Sequence, residues 1–470
     1  MYNTFVESTQ NNGVTETSTT NGMVTYSDSG NECVTLFFLI GSSRGKDVSG
    51  QFERAFQENA LIATRILFWA RDIRGGAGER STFRKLMVHL AAIHPSTAQS
   101  VLKYIPVYGR FDDLLALVGT SLENDAIQTF VDGLNNKNSL AGKWAPRKGP
   151  VAKAIRKSMF LNERAYRKLI VGLTNVVETP MCAKTYDVIN YSHVPSVAAA
   201  RYQKAFNKRD TVRYGQYREG LKTGETKINA SAVYPYDVTK SVSYGDPQVA
   251  VQQWNSLPNY LGDNMIIPMV DTSGSMSSGV PGTSLTCLDV AVSLGLYIAD
   301  KQSGAFKDMF LTFNSTSKLE LLKGDLLAKL VQLRHASWGG NTDLASAYDE
   351  ILRVAIIGKV LPQDMPKSLL ILSDMEFDSA VSSRNNKSIR AQDMAAEKFR
   401  VAGYDLPNIV YWNLSARAGN VPVKYHEDGS CLISGFSPAI MKSVLSAKTF
   451  TPGDIMLETI NSERYSSIVI

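Results

Sequence analysis

The chain is poor in the residues that build the commonest metal and covalent sites. It has four cysteines, Cys33, Cys182, Cys287 and Cys431, in 470 residues. They are scattered and no CxxC pair occurs. That excludes a zinc ribbon, argues against a disulfide framework and fits a reducing, cytoplasmic setting. The five histidines show neither HExxH nor HxxxH spacing, which excludes helix-borne zinc chemistry of that type. The longest apolar runs, such as 34–40 and 265–270, fall far short of the roughly 20 residues of a membrane helix, so no membrane partner is expected. The opening residues carry no basic stretch followed by an apolar one, and no secretory signal is read there. Strong net charge is also lacking: the balance is +6.

What is present is an ordinary globular composition, 44% hydrophobic and 20% charged, with length for two to four domains. The modest net charge hides an uneven distribution. Residues 143–227 hold 18 Lys and Arg against 6 Asp and Glu, a local net of +12 that leaves the remainder at −6. Such an excess points to a polyanion-binding face, the plain alternative being a solvated helical surface.

The hydrophobic pattern divides the chain. Residues 1–30, rich in Thr, Ser, Asn and Gly, read as a flexible arm holding one short strand-like piece, Met23-Val24-Thr25-Tyr26. From 31 to 240 the pattern is helical. Phe83, Leu86, Met87 and Leu90 recur at helical spacing, as do Leu161, Ala165, Leu169 and Leu173. Turn signals at Gly75-Gly76-Ala77-Gly78, His94-Pro95 and Val194-Pro195 separate these stretches. Moderate helices with short breaks predict a stacked, solenoid-like α-helical repeat domain. Residues 241–261 read as a linker. From 262 to 470, strands near 265–270, 308–313, 368–372, 409–412 and 430–433 alternate with helices near 288–299, 321–333, 389–402 and 438–447. This predicts a doubly wound α/β domain whose parallel sheet binds ligands at the carboxyl ends of its strands.

The sharpest local motif follows the first of those strands: Asp271-Thr272-Ser273-Gly274-Ser275-Met276. Three short oxygen side chains at alternate positions can converge on one hard cation, with Mg²⁺ the best match. Thr342, in the glycine-rich loop 339–343, and Asp374, after the 368–372 strand, add donors from neighbouring strand ends. The alternative is a polar turn that caps the next helix. Catalysis is not read here. An aspartyl phosphatase wants a second Asp where Ser273 stands, no His or Cys lies nearby to activate a serine, and no G-x-S-x-G elbow is present.

In the basic stretch, cations alternate with aromatics: Lys143, Trp144, Arg147, Lys148, Lys153, Arg156, Lys157, then Tyr166, Arg167, Lys168, and later Arg201, Tyr202, Lys204, Lys208, Arg209, Arg213 and Tyr214. Cations attract phosphates and exposed aromatic rings stack on unpaired bases, so single-stranded RNA fits better than duplex. Trp144 and Tyr166 individually suit core positions. Asp72-Ile73-Arg74-Gly75-Gly76-Ala77-Gly78-Glu79-Arg80 lacks the G-K-[ST] ending of a phosphate loop and no strand precedes it. It reads as a tight turn between helices with ion pairs among Asp72, Arg74, Glu79 and Arg80.

Two resemblances join these readings. Asp271, Ser273, Ser275, Thr342 and Asp374 resemble the metal-ion-dependent adhesion site of von Willebrand factor A domains. That resemblance implies contact of the three hydroxyls with the ion, carboxylates acting largely through water, and a sixth position open to an acidic protein partner. The order of modules resembles the Ro ribonucleoprotein autoantigen family, a TROVE helical module followed by an A domain, and chiefly its bacterial and phage relatives. The segments that carry this are 71–80, Tyr108-Gly109-Arg110-Phe111-Asp112-Asp113-Leu114, Lys143-Trp144-Ala145-Pro146-Arg147, 181–184, 227–230, 271–276, Tyr411-Trp412-Asn413-Leu414 and Ser434-Gly435-Phe436-Ser437-Pro438. The resemblance implies HEAT-like helices in a ring closed by the A domain. Such a ring is a non-enzymatic ribonucleoprotein scaffold that holds single-stranded ends or small noncoding RNA, in the host cytoplasm if phage-encoded. A different class also accommodates the residues: a metal-dependent protein-interaction module, an assembly or virion component, that binds no RNA.

Overall fold

The computed structural model describes residues 14–19, 24–230, 233–244, 247–313, 316–336, 344–375, 391–415, 421–446 and 450–470. Among the described residues the regular elements from 32 to 255 are all helical, and a helix-covered sheet follows. Strands β1 (Glu16–Ser18) and β2 (Val24–Tyr26) form an antiparallel hairpin within the stretch expected to be an arm. Tyr26 also exchanges backbone hydrogen bonds with Val421, at 2.9 and 3.1 Å, which ties the lead-in to the carboxyl-terminal half.

The helical half starts from a helix that cannot tolerate water on any side. In Glu32–Ile40 every residue after Glu32 is buried, as an all-round apolar helix requires. The spaced apolar residues of Arg80–Ile93 do what their period predicts: Phe83, Leu86, Met87 and Leu90 are buried on one face. In Glu163–Leu173 the buried pair is instead Tyr166 and Ile170, while Leu169 and Leu173 pack at its margin. Asparagines set many of the helix starts. The side chains of Asn31, Asn59, Asn138 and Asn162 accept from amides in the first turn of their helices.

The segment read as a linker is largely helical. Pro235–Tyr244 and Pro247–Asn255 bury Val238, Val242, Val249 and Trp254, and the Trp254 indole N–H donates to Asp300 at 2.8 Å. Both prolines stand at the first helical position, where the missing N–H was an orphan anyway. They start helices here rather than break them.

In the α/β half, β3 (Ile266–Val270), β4 (Met309–Thr312), β5 (Leu319–Leu321), β6 (Ser368–Ser373), β7 (Asn408–Asn413) and β8 (Ser430–Ser434) lie in the order β5-β4-β3-β6-β7-β8. All neighbours are parallel except the β4–β5 pair. The sheet is doubly wound, and its order reverses between β3 and β6. β3, β6 and β8 are buried along their whole length, which explains their unbroken apolar runs. Pro268 sits inside β3 without breaking it. The Asp271 amide donates to Leu372 in β6, so by alternation residue 268 faces β4, whose registered pairing begins only at Met269.

The two halves meet at both ends of the helical half. Glu32–Ile40 packs on β8, and Gly41 approaches so closely that a Cβ there would lie 2.3 Å from the Ser434 carbonyl. At the other end Pro235–Tyr244 packs on the helices Cys287–Lys301 and Leu326–Arg334. A second hydrophobic cluster around Tyr191, Phe206, Tyr214 and Tyr217 stands apart from the main core, so the helical half packs as two units.

Candidate functional site

The rim residues gather at the reversal of strand order, where an open α/β sheet leaves its crevice. Asp271 leaves the end of β3 and Asp374 the end of β6, and both are fully buried. Asp271 accepts from the Ser273 amide at 2.9 Å and from the Ser373 hydroxyl at 2.5 Å. The Ser273 and Ser275 hydroxyls lie 2.9 Å apart. Burial pushes the Asp271 carboxyl up to about 6, and the neighbouring Asp374 charge adds to that, against the hydrogen bonds from Ser373 and Ser273. Met375, next to Asp374, holds a left-handed φ of 69° and donates its amide to the Ser373 hydroxyl at 2.9 Å. Left-handed backbone at a bulky buried residue is a strain seen where a site over-determines its geometry.

The helix-capping alternative does not account for these residues. The short 3-10 turn that follows, Gly274–Ser277, starts at Ser273 with no side-chain cap, and the next helix, Cys287–Lys301, is capped by Thr286 and Asp289 in a reciprocal box. Among the described residues no cluster of three or more His, Cys, Asp or Glu is placed to hold a metal. The rim set is instead two carboxylates with hydroxyls, a donor chemistry that fits a hard oxygen-seeking cation and not a soft one. Two buried carboxylates in mutual repulsion are what a divalent cation relieves. Thr342 and its loop lie outside the described residues. Ser373 escaped the sequence reading, because only the register of β6 beside β3 brings its hydroxyl to Asp271.

The basic residues divide by what they do. Arg213 is a structural clamp, with its guanidinium on the carbonyls of Tyr186 and Ile189, on Asp210, and over the Tyr191 ring. Three of its five N–H donors are thus engaged within the fold, and its side chain is partly exposed. Arg156 and Arg167 share Glu163 at 3.3 and 2.8 Å. Lys143 lies over the Trp144 ring, which Arg110 covers at 4.0 Å. Of the cations expected to bind RNA, those exposed are Arg147, Lys148, Lys153, Lys157, Arg167, Lys168, Arg201, Lys204, Lys208 and Arg209. Those at 147–168 lie on helices that pack on the main core, and those at 201–209 on a helix that packs in the second cluster. The interleaved aromatics are mostly interior. Tyr166 is buried and donates to the Pro146 carbonyl, and Tyr214 and Tyr217 pack on Tyr191.

The glycine-rich turn is a junction. Asp72 accepts from Arg464 and Tyr465 near the far end of the chain, and Glu79 pairs with Arg44. The ion pairs expected within the turn thus reach across the molecule. Arg71 and Arg84 hold Asp113, Tyr108 donates to the Arg464 carbonyl, and Ala77 abuts Gly435.

A model described as a domain of unknown function (DUF2828) matches residues 19–135 and 151–264, and a second (DUF7788) matches 265–466. The uncharacterized protein L728 of Acanthamoeba polyphaga mimivirus is 31% identical over 506 residues, covering 94% of this chain and 86% of that protein. The chain belongs to the family of that viral protein. Within the family, residues 136–150 stand between the matched parts of the first model, so Lys143, Arg147 and Lys148 lie outside it. Among solved structures, the Ro (RSR) protein of Deinococcus radiodurans overlays with a TM-score of 0.47 at 14% identity, covering 92% of this chain and 99% of that one.

Proposed function

We propose that this protein is a nucleic-acid holder, a scaffold whose helical half binds single-stranded ends or small structured RNA and whose α/β half docks or closes through a hard divalent cation. The observation that carries the reading is the set of exposed lysines and arginines on Gly149–Ser158, Glu163–Leu173 and Ser196–Arg209. Long cations held outward and concentrated to a local +12 favour a polyanion. The motif resemblance to the Ro family supports the same reading. No helix among the described residues is long and apolar enough to cross a membrane. The protein acts by holding, not by catalysis.

Competition filter binding tests this. A labelled single-stranded RNA is expected to be displaced by unlabelled single strand at concentrations where duplex of equal length displaces it poorly. Absence of binding at 50 mM salt would remove the reading.

In the α/β half, Asp271, Ser273, Ser275 and Asp374 would hold the cation, which supplies an electrophilic anchor for an oxygen ligand. Millimolar Mg²⁺ is expected to raise the melting temperature, and Asp271→Ala to abolish that rise. Melting indifferent to both Mg²⁺ and EDTA would contradict the site. The rim's position at the strand-order reversal also favours the second reading, capture of a carboxylate-bearing protein partner. EDTA-sensitive binding of such a partner, with no RNA binding, would select it.

A further inference from the structure

The helix Gly149–Ser158 ends in a Schellman turn, in which the Phe160 amide donates to Lys157 at 3.0 Å and the Leu161 amide to Arg156 at 2.8 Å. The residue at the left-handed position of that turn is Phe160, with φ 53°. Glycine is the usual occupant, because a Cβ there crowds the backbone. Three other helices close with the same pair of hydrogen bonds, through Lys137, Lys184 and Lys359 at φ 54°, 61° and 49°. Those lysines are exposed and solvated. Phe160 has no such compensation: the ring is 96% exposed, the most of any large hydrophobic residue described. An aromatic ring is thus held in water on a strained backbone and gains nothing from the fold. Strain of that kind persists where function uses it.

Its surroundings name the ligand. Residues 153–168 carry six Lys and Arg against one Glu. Lys153, Lys157, Arg164, Arg167 and Lys168 are exposed, and Glu163 is occupied by Arg156 and Arg167. An apolar pocket on a protein would explain the ring but not the charge. A strand with phosphates on one side and unstacked base faces on the other satisfies both. A duplex offers no open base face. We infer that Phe160 is a stacking platform for an unpaired base of single-stranded RNA, with the cations of 153–168 drawing the flanking phosphates. This rests on the nucleic-acid reading above and gives it a contact residue.

The test uses the full chain and fluorescein-labelled oligo(U), read by anisotropy across a salt series. Phe160→Gly is the diagnostic variant, because glycine relieves the left-handed strain and keeps the fold at least as stable, checked by melting. Its dissociation constant is expected to rise at least about fivefold with the salt slope unchanged, while Phe160→Tyr stays within about twofold of wild type. An abasic strand of equal length is expected to bind wild type and Phe160→Gly alike. If wild type binds oligo(U) and Phe160→Gly binds equally well, the platform is refuted and the nucleic-acid reading stands, even if the variant then loses a protein partner. If wild type does not bind, both fall.

Discussion

Asp271 is a carboxyl that the fold holds at a cost. Its pKa is raised from an ordinary 3.8 to about 6 by burial, so the folded state prefers the protonated form. The penalty is absent below about pH 4 and full above about pH 6. In metal-free protein, stability should therefore fall between pH 4.5 and 7 by this group's share, on the order of 2–3 kcal/mol. Asp271→Asn should remove that share, and urea titrations at the two pH values check it. An unchanged pH dependence in the variant would show that the carboxyl ionises without cost. The sequence made this site legible because D-x-S-x-S directly follows a buried strand, which fixes where the oxygens emerge. It could not reveal Ser373, whose role depends on register between strands far apart in the chain. Nor could it show that Arg213 faces carbonyls, since a cation looks the same in sequence whether it meets solvent or backbone.

At the level of elements, glycines show where packing leaves no room. An alanine at Gly41 would bring a methyl to 2.3 Å from the Ser434 carbonyl, forcing Glu32–Ile40 off β8. Overpacking of this kind costs about 1–3 kcal/mol or more. Gly172, inside Glu163–Leu173, has nothing within 4 Å of an added Cβ, so Gly172→Ala should gain about 0.5–1 kcal/mol through helix propensity. Opposite signs in chemical denaturation are the expected outcome, and a neutral Gly41→Ala would contradict the close approach. The same contrast explains what could be read in advance. The strands buried on both faces wrote themselves as apolar runs. The edge strand β5 did not: Leu319 and Glu320 are half-buried and Leu321 is exposed, so no alternation stands out and Leu321 reads as the start of the helix that follows. The helices at Pro235 and Pro247 were hidden because proline signals both a break and a first turn, and only packing distinguishes the two.

Across the whole molecule, several of the motifs singled out in the sequence join the halves. Asp72 is buried and meets Arg464 and Tyr465 from the carboxyl-terminal end. Arg65 donates to the Ile468 carbonyl, and Tyr104 to that of Ser467. Arg464→Ala leaves a buried carboxylate without its guanidinium. It should cost about 2–3 kcal/mol, less than a fully enclosed pair because the arginine is partly exposed. Asp72→Asn should recover part of that loss in the double variant, as a thermodynamic cycle would show. Strict additivity would mean that the two do not interact.

The helical half, anchored at both ends, carries the exposed cations of 147–168 and 201–209, and holding a polyanion on them is the central claim. The most direct measurement is the slope of log K against log salt for single-stranded RNA, with wild type beside the combined Lys153→Glu, Lys157→Glu, Lys208→Glu and Arg209→Glu variant. At roughly 0.7 per neutralised phosphate, wild type is expected to give a slope of about −3 or steeper, and the variant a much weaker, flatter line. Weak binding at low salt, or a slope that the four reversals leave untouched, would contradict the account.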